Sequence, residues 1–262
     1  MNKGVLFAGG LFLFGSATYA SLLLNAKQKP TNQPTNNVIQ STNDGTKAIY
    51  NSIARKYDSE VNLDERLIGI TKLRRETISE FVKGPNVLEI ATGTGRNFDV
   101  FWNNREKYNT VTCTDYSKEM LQEAFEKYDR KKDVKKQFLY KVVDAHEVSK
   151  HLPNDHFDTV IDTYGLCSFH DPKQVVTEMS RLCKENGRLI FIEHGRSSKW
   201  NFMSKLLDQS APSHYEKWGC WWNKDILKIF EDCSDVMTIE RVDTYQFGTC
   251  YRVIAKPKKI KK

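Results

Sequence analysis

Residues 87–97, with the sequence V-L-E-I-A-T-G-T-G-R-N, decide the fold. The first four are apolar except for Glu89 and follow a Pro-Asn pair, which is typical of the start of a short buried strand. The strand leads into a turn in which Gly93 and Gly95 permit positive φ and let another molecule approach bare backbone. The segment therefore predicts a strand, a ligand-binding turn and a helix whose N-terminal amides face the ligand.

Two classes of ligand fit a turn of this kind. A dinucleotide-binding turn has a third small residue three positions after its second glycine, and Phe98 occupies that position here. A ligand without a pyrophosphate needs only the glycine turn and a nearby acid, which Glu89 supplies. S-adenosylmethionine, with its carboxylate-and-amine end, is such a ligand. Two glycines that only end a strand are the remaining alternative.

The chain after the turn alternates between strand and helix patterns. Two amphipathic helices precede the first strand, and further strands are predicted at 111–114, 138–143, 157–163 and 188–193, with a turn at Asn186-Gly187. Such alternation predicts an α/β fold with a parallel sheet covered by helices on both faces. Residues 236–242 and 248–255 predict an antiparallel hairpin at one edge.

Several polar residues fall at the carboxyl ends of these strands, where parallel sheets bind ligands. Asp115 ends the second strand, in position to accept hydrogen bonds from both ribose hydroxyls of an adenosine ligand. Asp144 follows the third strand, in position to meet the adenine amino group. Tyr164 and His194 follow the fourth and fifth strands.

The first part of the chain predicts a membrane anchor. Residues 4–24 carry no charge and are long enough, at about 1.5 Å per residue, to span a bilayer core of about 30 Å. A cleaved signal peptide is the alternative, and we favour the anchor because the apolar run continues beyond the possible cleavage site at Ala20. We predict an anchor over 1–26, a disordered polar linker over 27–46, a catalytic domain over 47–256 and a basic tail over 257–262.

Charge and cysteine content exclude other classes. The net charge of +7 comes largely from lysines in the last seven residues, so bulk nucleic-acid binding is disfavoured and no nucleic-acid partner is expected. The six cysteines form no C-x-x-C pair, which argues against a zinc site and a disulfide framework, and no metal ligands are predicted. A length of 262 residues is consistent with one domain plus extensions.

The motifs occur in an order that resembles class I S-adenosylmethionine-dependent methyltransferases from about residue 48 to 256. They are E-I-A-T-G-T-G, then T-D-Y-S at 114–117, D-A at 144–145 and E-N-G at 185–187. The Y-N-S-I-A-R-K-Y-D run at 50–58 and the G-R-N at 95–97 resemble the ubiquinone/menaquinone-biosynthesis branch. They also resemble the small membrane-anchored methyltransferase-like proteins of mitochondrial and endoplasmic membranes.

The resemblance implies a seven-stranded, mostly parallel Rossmann-like sheet with an antiparallel last strand, and S-adenosylmethionine as the cofactor. Ala91 departs from the pattern, since many relatives have glycine there. The residues that the resemblance and the strand ends together assign to the cofactor are Tyr57, Glu89, Ala91, Gly93, Gly95, Asn97, Asp115, Tyr116, Asp144, Ala145 and Tyr164.

Methyl transfer from a sulfonium is an in-line displacement, so alignment of the reactants matters more than a dedicated acid or base. His194 is the candidate base for an acceptor hydroxyl or thiol, although a structural histidine is the commoner outcome. Residues 195–222 form an aromatic-rich insertion that fits either core packing or a lid over an apolar acceptor.

The sequence predicts a membrane-anchored methyltransferase that acts on a small lipophilic acceptor, a quinol, phenol or thiol. A non-catalytic scaffold of the same fold that assists a membrane complex is the main alternative. A short-chain dehydrogenase is disfavoured because the Tyr128–Lys132 pair precedes the third strand. The resemblance implies a mitochondrial membrane, with the inner membrane favoured and the endoplasmic reticulum membrane as the alternative. Protein partners are not predicted.

Overall fold

The computed structural model describes residues 43–129 and 137–259, which form a seven-stranded sheet with helices on both faces. The strand order is β3-β2-β1-β4-β5-β7-β6. The strands are β1 (Asn86–Ile90), β2 (Thr110–Asp115), β3 (Phe138–Val142), β4 (Phe157–Thr163), β5 (Cys183–His194), β6 (Met237–Tyr245) and β7 (Cys250–Pro257).

Strand β7 is antiparallel to both of its neighbours, β5 and β6, whereas β1 to β5 pair in parallel. The predicted α/β fold, the parallel sheet and the reversed last strand are therefore confirmed. The predicted turn at Asn186-Gly187 is wrong, because β5 begins at Cys183 and passes through both residues. A register shift against β4 absorbs the extra residues, since Phe157 pairs with Cys183 but Thr159 pairs with Arg188.

The helices are α1 (Asn43–Leu67), α2 (Ile70–Phe81), α3 (Phe98–Asn103), α4 (Lys118–Asp129), α5 (Pro172–Leu182), α6 (Asn201–Trp218) and α7 (Ile226–Asp232). The two helices expected before β1 are α1 and α2. Helix α1 already includes residues 43–46, so the predicted end of the linker lies inside this helix. Helix α6 occupies most of the aromatic insertion.

The core lies on both faces of the sheet because the central strands are apolar on both sides. Leu88 and Val160 face a cluster that includes Phe191 and Phe230. Their sequence neighbours Val87 and Ile161 face the opposite cluster. The alternation fixes the register, because a slip by one residue would exchange the two faces.

Within the described ranges, none of the helices is both long enough and apolar enough to cross a bilayer. The predicted anchor and most of the predicted linker lie outside those ranges, as do residues 260–262 of the basic tail.

Candidate functional site

A cavity of about 920 Å³, open space at its mouth included, lies at the carboxyl ends of the strands and beneath α1. This is the edge of the sheet at which the sequence places the ligand. The cavity is lined by eight of the predicted cofactor residues: Tyr57, Ala91, Gly93, Asp115, Tyr116, Asp144, Ala145 and Tyr164.

The glycine turn and the end of β2 are joined directly. The Gly93 N–H donates a hydrogen bond of 2.7 Å to Oδ2 of Asp115, and the Ser117 N–H donates one of 2.8 Å to Oδ1. Gly93 has a φ of 58°, and a Cβ built on it would meet no atom within 4 Å, so bare backbone faces open space there. Burial raises the pKa of Asp115 to about 6, although the backbone donors oppose the rise. A buried acceptor and bare backbone thus meet at one corner of the cavity.

Ala91 adopts the left-handed conformation, with a φ of 47°. For residues other than glycine, that conformation costs about 1 to 2 kcal/mol because the Cβ approaches the following carbonyl oxygen. The departure from glycine that the sequence shows at this position therefore carries a backbone cost. Ala91 still lines the cavity, and its methyl group adds little bulk.

The helix that the pattern predicts after the turn is α3, which contains Phe98, Phe101 and Trp102. Helix α3 has six residues, and its first amide is used inside the turn, where the Phe98 N–H bonds the Gly95 carbonyl at 3.0 Å. The expectation that the amides of this helix face the ligand is therefore wrong. Gly95 instead allows close packing, because a Cβ on it would lie 3.0 Å from Cβ of Ala124.

Glu89 and Asn97 lie behind the cavity wall and do not line it. Asn97 Nδ2 donates to Oε1 of Glu89 at 2.7 Å and to Oγ1 of Thr163 at 3.0 Å, and Arg74 Nη1 donates to the same Thr163 oxygen at 2.6 Å. Burial raises the pKa of Glu89 to about 7. These two predicted residues support the cavity wall from behind, whereas Arg74, which the sequence analysis missed, reaches the lining.

The third strand end carries Asp144, whose carboxylate is already engaged by two neighbours. His146 donates to Oδ1 of Asp144 from its backbone N–H at 2.9 Å, and its Nδ1 lies 2.6 Å from the same oxygen. Asn43 Nδ2 donates to Oδ2 at 2.9 Å. Burial opposes ionisation of Asp144, but the hydrogen bonds from His146 and Asn43 prevail and lower its pKa. The group is therefore a fixed anionic acceptor at neutral pH.

Helix α1 covers the cavity with two tyrosines from the Y-N-S-I-A-R-K-Y-D run. The Tyr50 hydroxyl lies 2.8 Å from Oγ of Ser168, and the Tyr57 ring meets the Trp218 ring edge-on at 5.9 Å between centroids. Burial raises the pKa of Tyr57 well above its ordinary value, and the charge of Glu65 adds to the rise. Both hydroxyls therefore stay protonated at neutral pH.

The same run contains Asp58, which ties α1 to the glycine turn. Its Oδ1 accepts hydrogen bonds from Oγ1 of Thr94 at 2.6 Å and from Nη1 of Arg96 at 3.2 Å, and its Oδ2 pairs with Lys127. Arg96 also pairs with Glu65 at 2.6 Å. These contacts explain why the run and the G-R-N motif occur together, since each holds the other in place.

His194 is not among the residues that line the cavity. It ends β5, and its Nε2 lies 3.2 Å from Sγ of Cys167 and 2.9 Å from Sγ of Cys220. The two sulfur atoms are 2.8 Å apart. Its role as an acceptor base stays a prediction. The sequence analysis missed this cluster because it searched for closely spaced cysteines, whereas these residues come from three separate elements.

The aromatic insertion divides into a packed end and an exposed end. Trp221 stacks on Tyr215 at 4.7 Å between centroids, and Trp222 stacks on His214 at 3.7 Å and donates from Nε1 to the Leu207 carbonyl. Both indole rings are partly buried by these contacts, and neither ring lines the cavity. Trp200 and Phe202, at the start of α6, are 49% and 61% exposed, and neither lines the cavity. The lid that the sequence permits is therefore not formed by Trp221 or Trp222.

Comparison with known proteins also points to a methyltransferase domain. Residues 88–191 match the family described as "Methyltransferase domain". A structure of an S-adenosylmethionine-dependent methyltransferase from Aquifex aeolicus has a TM-score of 0.56 at 21% identity, and the match covers 78% of this chain and 97% of that chain. Residues 88–191 thus resemble a methyltransferase domain, on the fold that the Aquifex aeolicus protein also has. The comparisons therefore support methyl transfer as the activity and S-adenosylmethionine as the cofactor that the cavity is proposed to bind.

Two curated methyltransferases are similar to this chain in sequence. The mitochondrial methyltransferase OMS1 of Saccharomyces cerevisiae is 33% identical over 225 residues, which cover 81% of this chain and 46% of OMS1. The chain thus spans about half the length of that relative. The ubiquinone/menaquinone biosynthesis C-methyltransferase UbiE of Francisella tularensis subsp. novicida is 28% identical over 183 residues, which cover 63% of this chain and 71% of UbiE.

Proposed function

We propose that this methyltransferase is held at a membrane by residues 1–26, through a linker that ends near residue 42, and methylates a small lipophilic acceptor. The observation that carries the cofactor-binding part is the junction of Gly93 and Asp115 on the lining of the cavity. A carboxylate at the end of the second strand, next to bare backbone, fits the ribose and the methionine end of S-adenosylmethionine.

Each predicted residue has a specific part in this proposal. Asp115 accepts from the ribose hydroxyls, while the backbone at Ala91 and Gly93 contacts the methionine end. Asp144, held by His146, accepts from the adenine amino group, and Ala145 and Tyr116 border the ring. Tyr57 and Tyr164 close the cavity over the sulfonium, toward which an aromatic face is attractive.

S-adenosylmethionine, when bound, supplies an electrophilic methyl group on a sulfonium. The residues of the chain then have to position the acceptor in line with that methyl group and exclude water. Tyr50 and Ser168, which are hydrogen-bonded to each other on the cavity lining, are placed to orient an acceptor hydroxyl or thiol. Direct proton removal by His194 would require its imidazole to leave the two thiols that it contacts.

Three observations support a lipophilic acceptor. The uncharged segment 4–24 favours a membrane location. Trp200, Phe202 and Phe247 present exposed aromatic rings, and the Phe247 carbonyl accepts a hydrogen bond from Ser197, close to the start of α6. UbiE, by its name, acts in ubiquinone and menaquinone biosynthesis. We propose a quinol, phenol or thiol as the acceptor class, and a mitochondrial membrane as the location from the name of OMS1.

A scaffold that keeps the fold and binds the cofactor without turnover is the second candidate. The two are separated by incubating the full chain in detergent micelles with methyl-labelled S-adenosylmethionine and pairs of acceptors of equal reactivity but different polarity. The proposal predicts label on the apolar member of each pair and loss of transfer in Asp115→Asn. Cofactor binding without transfer to any quinol, phenol or thiol supports the scaffold. Preference for the polar members contradicts the lipophilic assignment.

A further inference from the structure

The cluster of Cys167, His194 and Cys220 is the strongest chemical feature outside the cofactor contacts. Their three ligand atoms lie within 4.8 Å of one another. Both cysteines are buried, at 1% and 4% exposure. Two sulfurs and one imidazole nitrogen form the donor set that zinc prefers, and catalytic zinc sites with three protein ligands include this combination.

We propose that Cys167, His194 and Cys220 bind one Zn²⁺ ion at the wall of the cavity. Three elements deliver the ligands: the turn after β4, the last residue of β5, and the segment that follows α6. The Trp221 N–H donates to the Cys167 carbonyl at 3.1 Å, which fixes the third element to the first. Gly219 ends α6 with a φ of 67°, so the chain turns sharply and directs Cys220 inward.

The distances within the cluster are compatible with zinc after a small adjustment. With Zn–S bonds of about 2.3 Å, the two sulfurs of a tetrahedral site lie about 3.7 Å apart. The observed 2.8 Å therefore has to lengthen by about 1 Å, shared between two side chains. The imidazole Nε2 faces both sulfurs at 3.2 and 2.9 Å, and these distances have to lengthen by about 0.3 to 0.6 Å to reach the roughly 3.5 Å of a tetrahedral site.

The surroundings leave the thiols available to a cation. The ammonium group of Lys224 is held by the carbonyl oxygens of Leu166 and Phe169. The Cys167 thiol otherwise has two long contacts, with Oγ of Ser168 and the Tyr164 carbonyl, both at 3.6 Å from its Sγ. Zinc would replace these weak contacts with three coordinate bonds.

The site borders the cofactor cavity. Ser168 lines the cavity and is adjacent to Cys167 in sequence, and the Tyr164 ring, which also lines it, lies 5.2 Å from the His194 ring. Three protein ligands leave the fourth zinc position for a water molecule from the cavity side. The ion would thereby join β4, β5 and the end of α6 at the base of the cavity, a role that does not depend on which acceptor is methylated.

The test measures metal directly and needs no turnover. The full chain is purified in detergent without chelators, and its zinc content is determined by plasma mass spectrometry. One zinc per chain is expected in the wild type, with loss of at least four-fifths in Cys167→Ser and Cys220→Ser. Cys233→Ser is the matched control, because Cys233 is equally buried but lies outside the cluster, and it should keep its zinc. Circular dichroism checks that each variant is folded.

Cobalt substitution provides a second readout. Co²⁺ bound by two thiolates and one imidazole should give sulfur-to-cobalt charge-transfer bands and strong visible bands of a tetrahedral ion, which Cys220→Ser should lose. The proposal is overturned if folded wild type holds no more metal than the serine variants. It is also overturned if Cys233→Ser loses zinc equally, or if mass spectrometry finds metal-free chain with a Cys167–Cys220 disulfide. Absence of methyl transfer with zinc present would count against the proposed function alone.

Discussion

The carboxylate of Asp115 accepts a hydrogen bond of 2.7 Å from the backbone N–H of Gly93, so the end of β2 and the turn after β1 form one unit. The contact explains why an acid at the second strand end and a glycine at the first occur together. It also leaves the carboxylate with further lone pairs directed at the cavity. The predictions that follow depend on this corner, on the residues behind it and on the helix that covers it.

Asp115→Asn should weaken binding of S-adenosylmethionine by about 10- to 150-fold, the equivalent of about 1.5 to 3 kcal/mol. The amide keeps an oxygen for the Gly93 N–H, but its NH2 group replaces the oxygen that accepts from the Ser117 N–H, and the charge and one acceptor for the ribose are lost. Isothermal titration calorimetry on the full chain in detergent measures the change. Asp235→Asn is the control, because that side chain is exposed and lies outside the cavity lining. Equal dissociation constants for wild type and Asp115→Asn would remove Asp115 from the site.

Ala91→Gly should stabilise the protein by about 0.5 to 1 kcal/mol. The change relieves a left-handed strain of about 1 to 2 kcal/mol, and the greater freedom of glycine in the unfolded chain offsets part of the gain. Urea denaturation measures the difference. Ala48→Gly, at an exposed position in α1, should have the opposite sign and cost about 1 kcal/mol. A loss of stability in Ala91→Gly would mean that the methyl group packs better than its backbone costs.

Glu89→Gln should change the pH dependence of stability. Burial raises the pKa of Glu89 to about 7, above the ordinary 4.5 of the unfolded chain, so Glu89 stays protonated to a higher pH in the folded state. Stability from this group is present below pH 4.5 and is lost as the pH rises through about 7. The glutamine variant cannot lose a proton there. Between pH 5 and pH 8, its free energy of unfolding should therefore rise by about 2 to 3 kcal/mol relative to that of the wild type.

Chemical denaturation of the wild type and of Glu89→Gln at pH 5 and pH 8 measures this difference in the free energy of unfolding. A difference between variant and wild type that is the same at pH 5 and pH 8 would show that Glu89 is ionised throughout the range.

Trp221→Ala should lower the free energy of unfolding by about 1 to 3 kcal/mol, because the partly buried ring stacks on the buried Tyr215. Trp200→Ala should cost less than about 1 kcal/mol, since half of that side chain is exposed. The exposed Trp200 ring should instead contact the membrane. The double variant Trp200→Ala/Phe202→Ala should therefore reduce methyl transfer to acceptors dissolved in liposomes. If Trp221→Ala lost methyl transfer but kept its stability, the result would support Trp221 as part of a lid over the acceptor.

The strand positions of this fold were predictable from the sequence because they follow from local patterns, whereas the order of the strands in the sheet was not predicted. Short apolar runs bounded by glycine, asparagine and acidic residues predicted β1 to β5 within a few residues. The start of β5 at Cys183 was not predictable, because the pairing with Phe157 depends on a register shift that only the neighbouring strand determines. The role of the α3 amides was not predictable either, because the first of them bonds to the Gly95 carbonyl within the turn.

The candidate site likewise contains residues that were predictable from the sequence and residues that were not. Residues at strand ends, such as Asp115 and Asp144, were predictable from the rule that parallel strands end at one edge. Arg74 was not, because it reaches the cavity from α2 through contacts with Asn97 and Thr163. The pairing of Cys167 with Cys220 also requires the turn at Gly219 and a contact between distant segments, which sequence spacing does not encode.

The most direct test of the account is equilibrium dialysis of the full chain, in detergent, against labelled S-adenosylmethionine. The account predicts saturable binding to one site with a dissociation constant in the micromolar range, about 8 kcal/mol, displaced by S-adenosylhomocysteine and weakened by Asp115→Asn. Folded protein that shows no saturable binding at millimolar cofactor, or binding that Asp115→Asn leaves unchanged, would contradict it.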